Sequence, residues 1–202
     1  MSEKPGQKFI DLMNKTGQLV ILGLLFILTS IPVVTAGSSC CALYYSVVKS
    51  VRRGRGYPTK EYFRAFLKNL PKGIIFSLFF IAFFTTMLYN TTSMLRIAAA
   101  AAMAGFALWL FPVTSRFEKK FTELVMLTFV VTLRFWYVTL LLAGAGGLLI
   151  YLFMYTGFLP LMALPFLPGL WTYFSSFLIE KGLKRYQPKE APEGVDAWWL
   201  ED

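Results

Sequence analysis

The 202-residue chain contains no histidine. That removes the commonest general base near neutral pH and the commonest metal ligand. Its only cysteines, Cys40 and Cys41, are adjacent. A vicinal pair closes a disulfide only in a strained ring, and two thiols are too few for a disulfide framework. They are expected to pack as small apolar side chains against a neighbouring helix. Acidic residues are scarce, eleven against twenty lysines and arginines. None falls inside the stretches 16–48, 73–95, 97–115 and 135–179, which carry no charge of either sign. Ion-coupled transport ordinarily leaves an ionisable group at mid-membrane, and these stretches hold none. No nucleophile–base pair, ligand cluster or phosphate-cradling glycine loop is visible either. The sequence therefore predicts a non-enzymatic protein with no catalytic centre, cofactor or metal site.

What the chain has in abundance is apolar surface: 56% hydrophobic residues, 15% charged residues and a mean hydropathy of +0.58. These values predict an integral membrane protein. Each charge-free stretch is at or near the ~20 residues that span a bilayer core, and 135–179 is long enough for two passes. A single membrane domain over 1–186 is expected, followed by a short cytoplasmic tail, 187–202. The net charge of +9 is distributed as the positive-inside rule requires. Lys49, Arg52, Arg53, Arg55, Lys60, Arg64, Lys68 and Lys72 follow the first apolar block, Arg116, Lys119, Lys120 and Arg134 precede the last, and Lys181, Lys184, Arg185 and Lys189 follow it. Arg96 stands alone between the second and third blocks. That alternation argues for a lipid bilayer as partner and against nucleic acid.

The expected fold is all-α, a polytopic bundle of three helical hairpins with about six membrane helices. The spans are 9–31 with 38–53, 71–91 with 97–115, and 134–156 with 169–186. Pro32, Thr35 and Gly37 mark the first break, where the missing proline donor and a positive φ at glycine would turn the chain. Pro165 and Gly169 repeat that pattern before a second aromatic helix with a basic end. The competing topology has five spans, with 17–48 as one kinked helix and the N-terminus outside. It strands Lys4, Lys8 and Lys15 on the wrong side. Cleavage after Ala36 as a signal peptide would leave a mature end as apolar as the peptide removed, so retention is expected.

Two connectors are patterned as amphipathic helices. Thr59 would cap a helix with Tyr62, Phe63, Phe66, Leu67 and Leu70 on one stripe and Lys60, Glu61, Arg64 and Lys68 on the other. Phe117, Phe121, Leu124, Val125 and Thr128 repeat the device, with Glu118, Lys119, Lys120 and Glu123 facing away. Such helices lie in the headgroup region or offer a docking surface to a partner. The residues expected on that surface are Tyr62, Phe63, Arg64, Phe66, Lys68, Arg116, Lys119 and Lys120. Ala101 with Gly105, and Ala143 with Gly147, are small-residue pairs expected at internal helix contacts. Tyr57, Tyr62, Trp109, Trp136, Tyr137 and Trp171 are placed as interfacial belts.

The segment Pro32-Val-Val-Thr35-Ala-Gly37, with Ala42-Leu43-Tyr44-Tyr45 and the basic end that follows, resembles the N-terminal signature of the YesL-like bacterial membrane proteins, a family without an established biochemical activity. Tyr62-Phe63-Arg64-Ala65-Phe66 with Lys68-Asn69, and Phe111-Pro112 with Arg116-Phe117-Glu118, extend the resemblance, which covers about 9–186. It implies a multi-pass protein of the bacterial cell membrane; the three-hairpin layout and the basic loops are what place both termini in the cytoplasm. The resemblance also implies association with carbohydrate importers of the ATP-binding-cassette type, whose genes commonly neighbour those of the family. The leading expectation is thus an accessory or assembly subunit contacting the permease or ATPase subunits. A small stand-alone transporter or channel for an uncharged solute is the alternative, and a membrane enzyme stands third.

Overall fold

The structure is a computed structural model that describes residues 5–90, 93–117, 119–155 and 165–186. Every regular element among them is helical. Helix α1 (Pro5–Ser30) is followed by a short 3₁₀ turn (Val33–Thr35) and α2 (Ala36–Ser46), which widens into a π-helical turn (Val47–Arg52). Then come α3 (Pro58–Asn90), α4 (Ser93–Arg116), α5 (Phe121–Arg134), α6 (Trp136–Tyr155) and α7 (Leu167–Leu183), with a last 3₁₀ turn (Lys184–Tyr186). Three segments are long and apolar enough to cross a membrane: Phe9–Ser30, Pro58–Met87 and Ala98–Arg116. The pair α5–α6, bent by 86°, would make a fourth if taken as one broken span. The molecule is a multi-pass helical membrane protein by this measure. The expected tail 187–202, residues 156–164 and Glu118 lie outside the described residues.

Helix α2, 11 residues long, is the centre of the molecule. Two apolar clusters make the core, and α2 belongs to both. Leu19, Leu22, Leu43, Val47 and Tyr62 join it to α1 and α3. Tyr44, Val48, Trp109, Leu124 and Ile179 join it to α4, α5 and α7. Cys41 is fully buried and Cys40 partly so, unlinked to each other.

The break after α1 is held by Thr35 rather than by glycine. Its amide donates to Pro32 O (2.8 Å) and its hydroxyl lies within hydrogen-bonding distance of Thr29 O (2.6 Å) and Pro32 O (2.8 Å), engaging a carbonyl that the end of α1 leaves open. The expected positive φ at Gly37 is not found; among the described residues only Gly54 (66°) and Gly56 (76°) take that conformation, in the turn before α3. Gly37 serves close approach instead. A Cβ there would sit 2.5 Å from Gly73 O, and the Gly37 amide donates to Ser77 Oγ at 2.8 Å. Backbone meets backbone because neither partner has a side chain in the way.

Two further expectations are corrected. The amphipathic stretch near 58–70 and the span beginning near 71 are one helix, continuous through Pro71, and it starts at Pro58 so that Thr59 is inside it. Proline at the first position costs no hydrogen bond, which accounts for the start. Of the small-residue pairs, Gly105 does pack closely, since a Cβ there would lie 2.8 Å from Thr139 Cγ2, whereas Ala143 and Gly147 are exposed and Gly147 has open space around it.

Candidate functional site: a buried ionic cluster at the basic end

Glu180 stands one turn before the end of α7, between Ile179 and Leu183, both buried. It is itself only 2% exposed. A carboxylate taken out of water this far is tolerable only if charged and polar partners replace its hydration. They do. Tyr44 Oη donates to Oε1 at 2.8 Å, Arg116 forms an ion pair with Oε2, and Arg53 Nη2 lies 3.7 Å from the same oxygen. Arg116 is the last residue of α4, where a cation also complements the helix dipole, and it is 5% exposed.

A second pair lies across α2. Lys49, 4% exposed, meets Glu61 Oε2 at 3.1 Å and Tyr45 Oη at 3.2 Å. Arg52 caps the arrangement, donating to Ser176 O at 3.2 Å with its guanidinium 4.2 Å from the Phe177 ring centroid. Lys49 and Arg52 belong to the π-helical turn and Arg53 follows it directly, so that one turn serves α3 and α7 together. The cluster thus ties α2, α3, α4 and α7 at one end of the bundle. With its oxygens engaged by a phenol and two guanidinium groups, Glu180 is arranged to hold helices together.

The residues expected on an exposed surface divide. Tyr62 is fully buried, its hydroxyl 2.7 Å from Thr29 Oγ1, and Arg116 is inside the ionic cluster, so neither belongs to a surface. Phe66 is half-buried, stacked on Tyr62 at 6.5 Å. Phe63, Arg64, Lys68, Lys119 and Lys120 are exposed. Glu61, expected outward, turns inward to Lys49. The two connectors are also neighbours: Lys72 Nζ donates to Lys119 O at 3.0 Å, and Phe76 stacks on Phe121 at 5.0 Å. Of the break residues, Pro32 and Thr35 form the turn after α1. The Pro165 carbonyl lies against Gly23, and a Cβ on Gly169 would stand 2.6 Å from Leu19 O. Of the residues expected in interfacial belts, Tyr57, Trp136 and Tyr137 are exposed, whereas Trp109 is buried and donates to Thr139 Oγ1 at 2.8 Å.

Sequence reasoning gives Glu180 no role, because it immediately follows the charge-free stretch 135–179 and precedes the basic residues from Lys181 onward. The available signal was its setting, an acid with Ile179 beside it and Leu183 one turn on.

The fold and this site define a helical membrane protein whose basic end is locked by internal ion pairs. Residues 19–91 match a family described as "Protein of unknown function, DUF624", a match that runs from the middle of α1 through α2 and α3. No curated protein and no solved structure matches the chain.

Proposed function

We propose that this protein is a non-enzymatic accessory or assembly subunit of a bacterial carbohydrate importer of the ATP-binding-cassette type. In this reading the bundle sits in the plasma membrane as three hairpins, α1 with α2, α3 with α4, and α6 with α7. Both chain ends and the ionic cluster are then cytoplasmic. The importer itself comes from the resemblance to the YesL-like proteins, and the structure supplies a suitable surface.

The observation that carries the reading is the first half of α3. At 33 residues the helix is about 50 Å long, against a hydrocarbon core of about 30 Å. From Gly73 onward it is charge-free, so the part that projects is 58–72. That projection exposes Lys60, Phe63, Arg64, Leu67 and Lys68, an aromatic and basic mixture. It is braced by the Lys49–Glu61 pair, so it is presented on a rigid element. A permease or ATPase subunit with acidic and apolar side chains fits such a surface.

Purification of the tagged protein from its own membranes in mild detergent tests the reading. Recovery of carbohydrate-importer permease and ATPase subunits, identified by mass spectrometry, is expected, together with no solute flux when the protein alone is placed in liposomes. Purification as a lone protein that moves an uncharged solute would replace the accessory role with transport.

A further inference from the structure

Helix α5 has two apolar faces. Leu124, Thr128 and Val131 are buried in the bundle. On the opposite side Met126, Phe129, Val130 and Leu133 are exposed by 73, 58, 50 and 61%. Their spacing of three, four and seven residues makes one stripe. None of the described residues covers it, and an apolar stripe of this length needs an apolar neighbour.

Two observations say which neighbour. The first is the corner at Phe135, where α5 and α6 meet at 86°. The corner is fixed by packing: Phe135 leaves helical geometry (φ −108°, ψ 35°) while its ring stacks on Trp109 at 5.6 Å. Helix α6 exposes Leu140, Leu141 and Leu148, as a lipid-facing helix does. A helix perpendicular to it runs along the membrane surface. The second is charge. Exposed Lys119 and Lys120 precede α5 and exposed Arg134 ends it, so cations flank the stripe at both ends. Past the corner the apolar surface continues into exposed Trp136 and Tyr137, residue types that favour the membrane–water interface.

We propose that α5 lies in the plane of the membrane, with the Met126–Leu133 stripe seated in the headgroup–acyl boundary of an anionic phospholipid leaflet and Lys119, Lys120 and Arg134 meeting its phosphates. As half of a broken span, α5 would instead carry Glu123 and Arg134, both exposed, into hydrocarbon. The proposal stands independently of the importer reading.

Nitroxide depth measurements decide it. Single cysteines at Met126, Val130 and Leu133, in full-length protein with Cys40→Ala and Cys41→Ala, are labelled in vesicles containing phosphatidylglycerol. All three labels are expected at one shallow depth, about 5–10 Å below the phosphates. A broken span would separate the labels at 126 and 133 by up to about 10 Å in depth. Such a gradient, or water-exposed values at all three positions, would overturn the proposal. Replacing phosphatidylglycerol with phosphatidylcholine is expected to raise the water accessibility of all three labels, and no change would remove the anionic headgroup from it. A benzophenone photocrosslinker at Phe129 in the otherwise unaltered chain covers the case in which the cysteine-free protein fails to fold. Lipid adducts are expected; adducts only to protein would contradict lipid seating.

Discussion

Removing one member of the Glu180 cluster leaves the others charged and dry. Glu180→Gln strips Arg116 of its counter-charge at a site 5% exposed. The expected loss is about 3–5 kcal/mol, read as a fall in thermal stability in detergent. Glu180→Leu combined with Arg116→Leu is expected to cost much less, because the more deeply buried guanidinium goes with its partner and only Arg53, the more exposed and more distant cation, loses the carboxylate. A double variant as unstable as the sum of its singles would show that the pair is not the reason. Tyr44→Phe removes one hydrogen bond to a charged acceptor and is expected to cost about 1.5–3 kcal/mol. Glycine gives a second contrast. Gly37→Ala puts a Cβ against the Gly73 carbonyl and is expected to destabilise although φ there is unstrained, whereas Gly17, with nothing within 4 Å, should accept alanine with a gain of about 0.5–1 kcal/mol. Equal melting temperatures for Gly37→Ala and Gly17→Ala would exclude the close-approach role.

At the scale of elements, the start of the second hairpin is the clearest difference from the sequence pattern. The expected span 71–91 begins at Pro71, yet α3 runs straight through that residue, which is itself exposed. Neighbouring packing fixes the first half: Tyr62 and Ala65 sit in the core shared with α1 and α2, and Lys49 holds Glu61. An interior proline removes a helix hydrogen bond and crowds the preceding turn. Pro71→Ala is therefore expected to raise the melting temperature, while a fall would mean that a bend at this position is required. The apolar stretches and the break after α1 were legible, because each is a pattern local in sequence; the faces expected for 58–70 were not, since Phe63 and Leu67 are exposed and Glu61 is buried against Lys49. Nor was the central place of α2. Its burial depends on which helices surround it, and nothing in Ala36–Ser46 distinguishes a lipid-facing short helix from a core one. Ser77 shows the same limit, since its hydroxyl accepts the Gly37 amide forty residues away rather than bonding only within its own helix.

At the scale of the whole molecule, the excess of basic residues divides into two groups that composition cannot separate. Lys49, Arg52, Arg53 and Arg116 are spent inside, on Glu61, Ser176 and Glu180. Lys60, Arg64, Lys68, Lys119 and Lys120 remain exposed. Docking through the projecting half of α3 predicts that charge reversal there breaks the complex and spares the fold. The direct measurement is the yield of importer permease and ATPase subunits, quantified by mass spectrometry, recovered with tagged wild type and with Arg64→Glu/Lys68→Glu at matched membrane levels. The wild type is expected to retain both subunits and the reversed variant to lose most of them while keeping its thermal stability; equal recovery from the two proteins would contradict docking through this face.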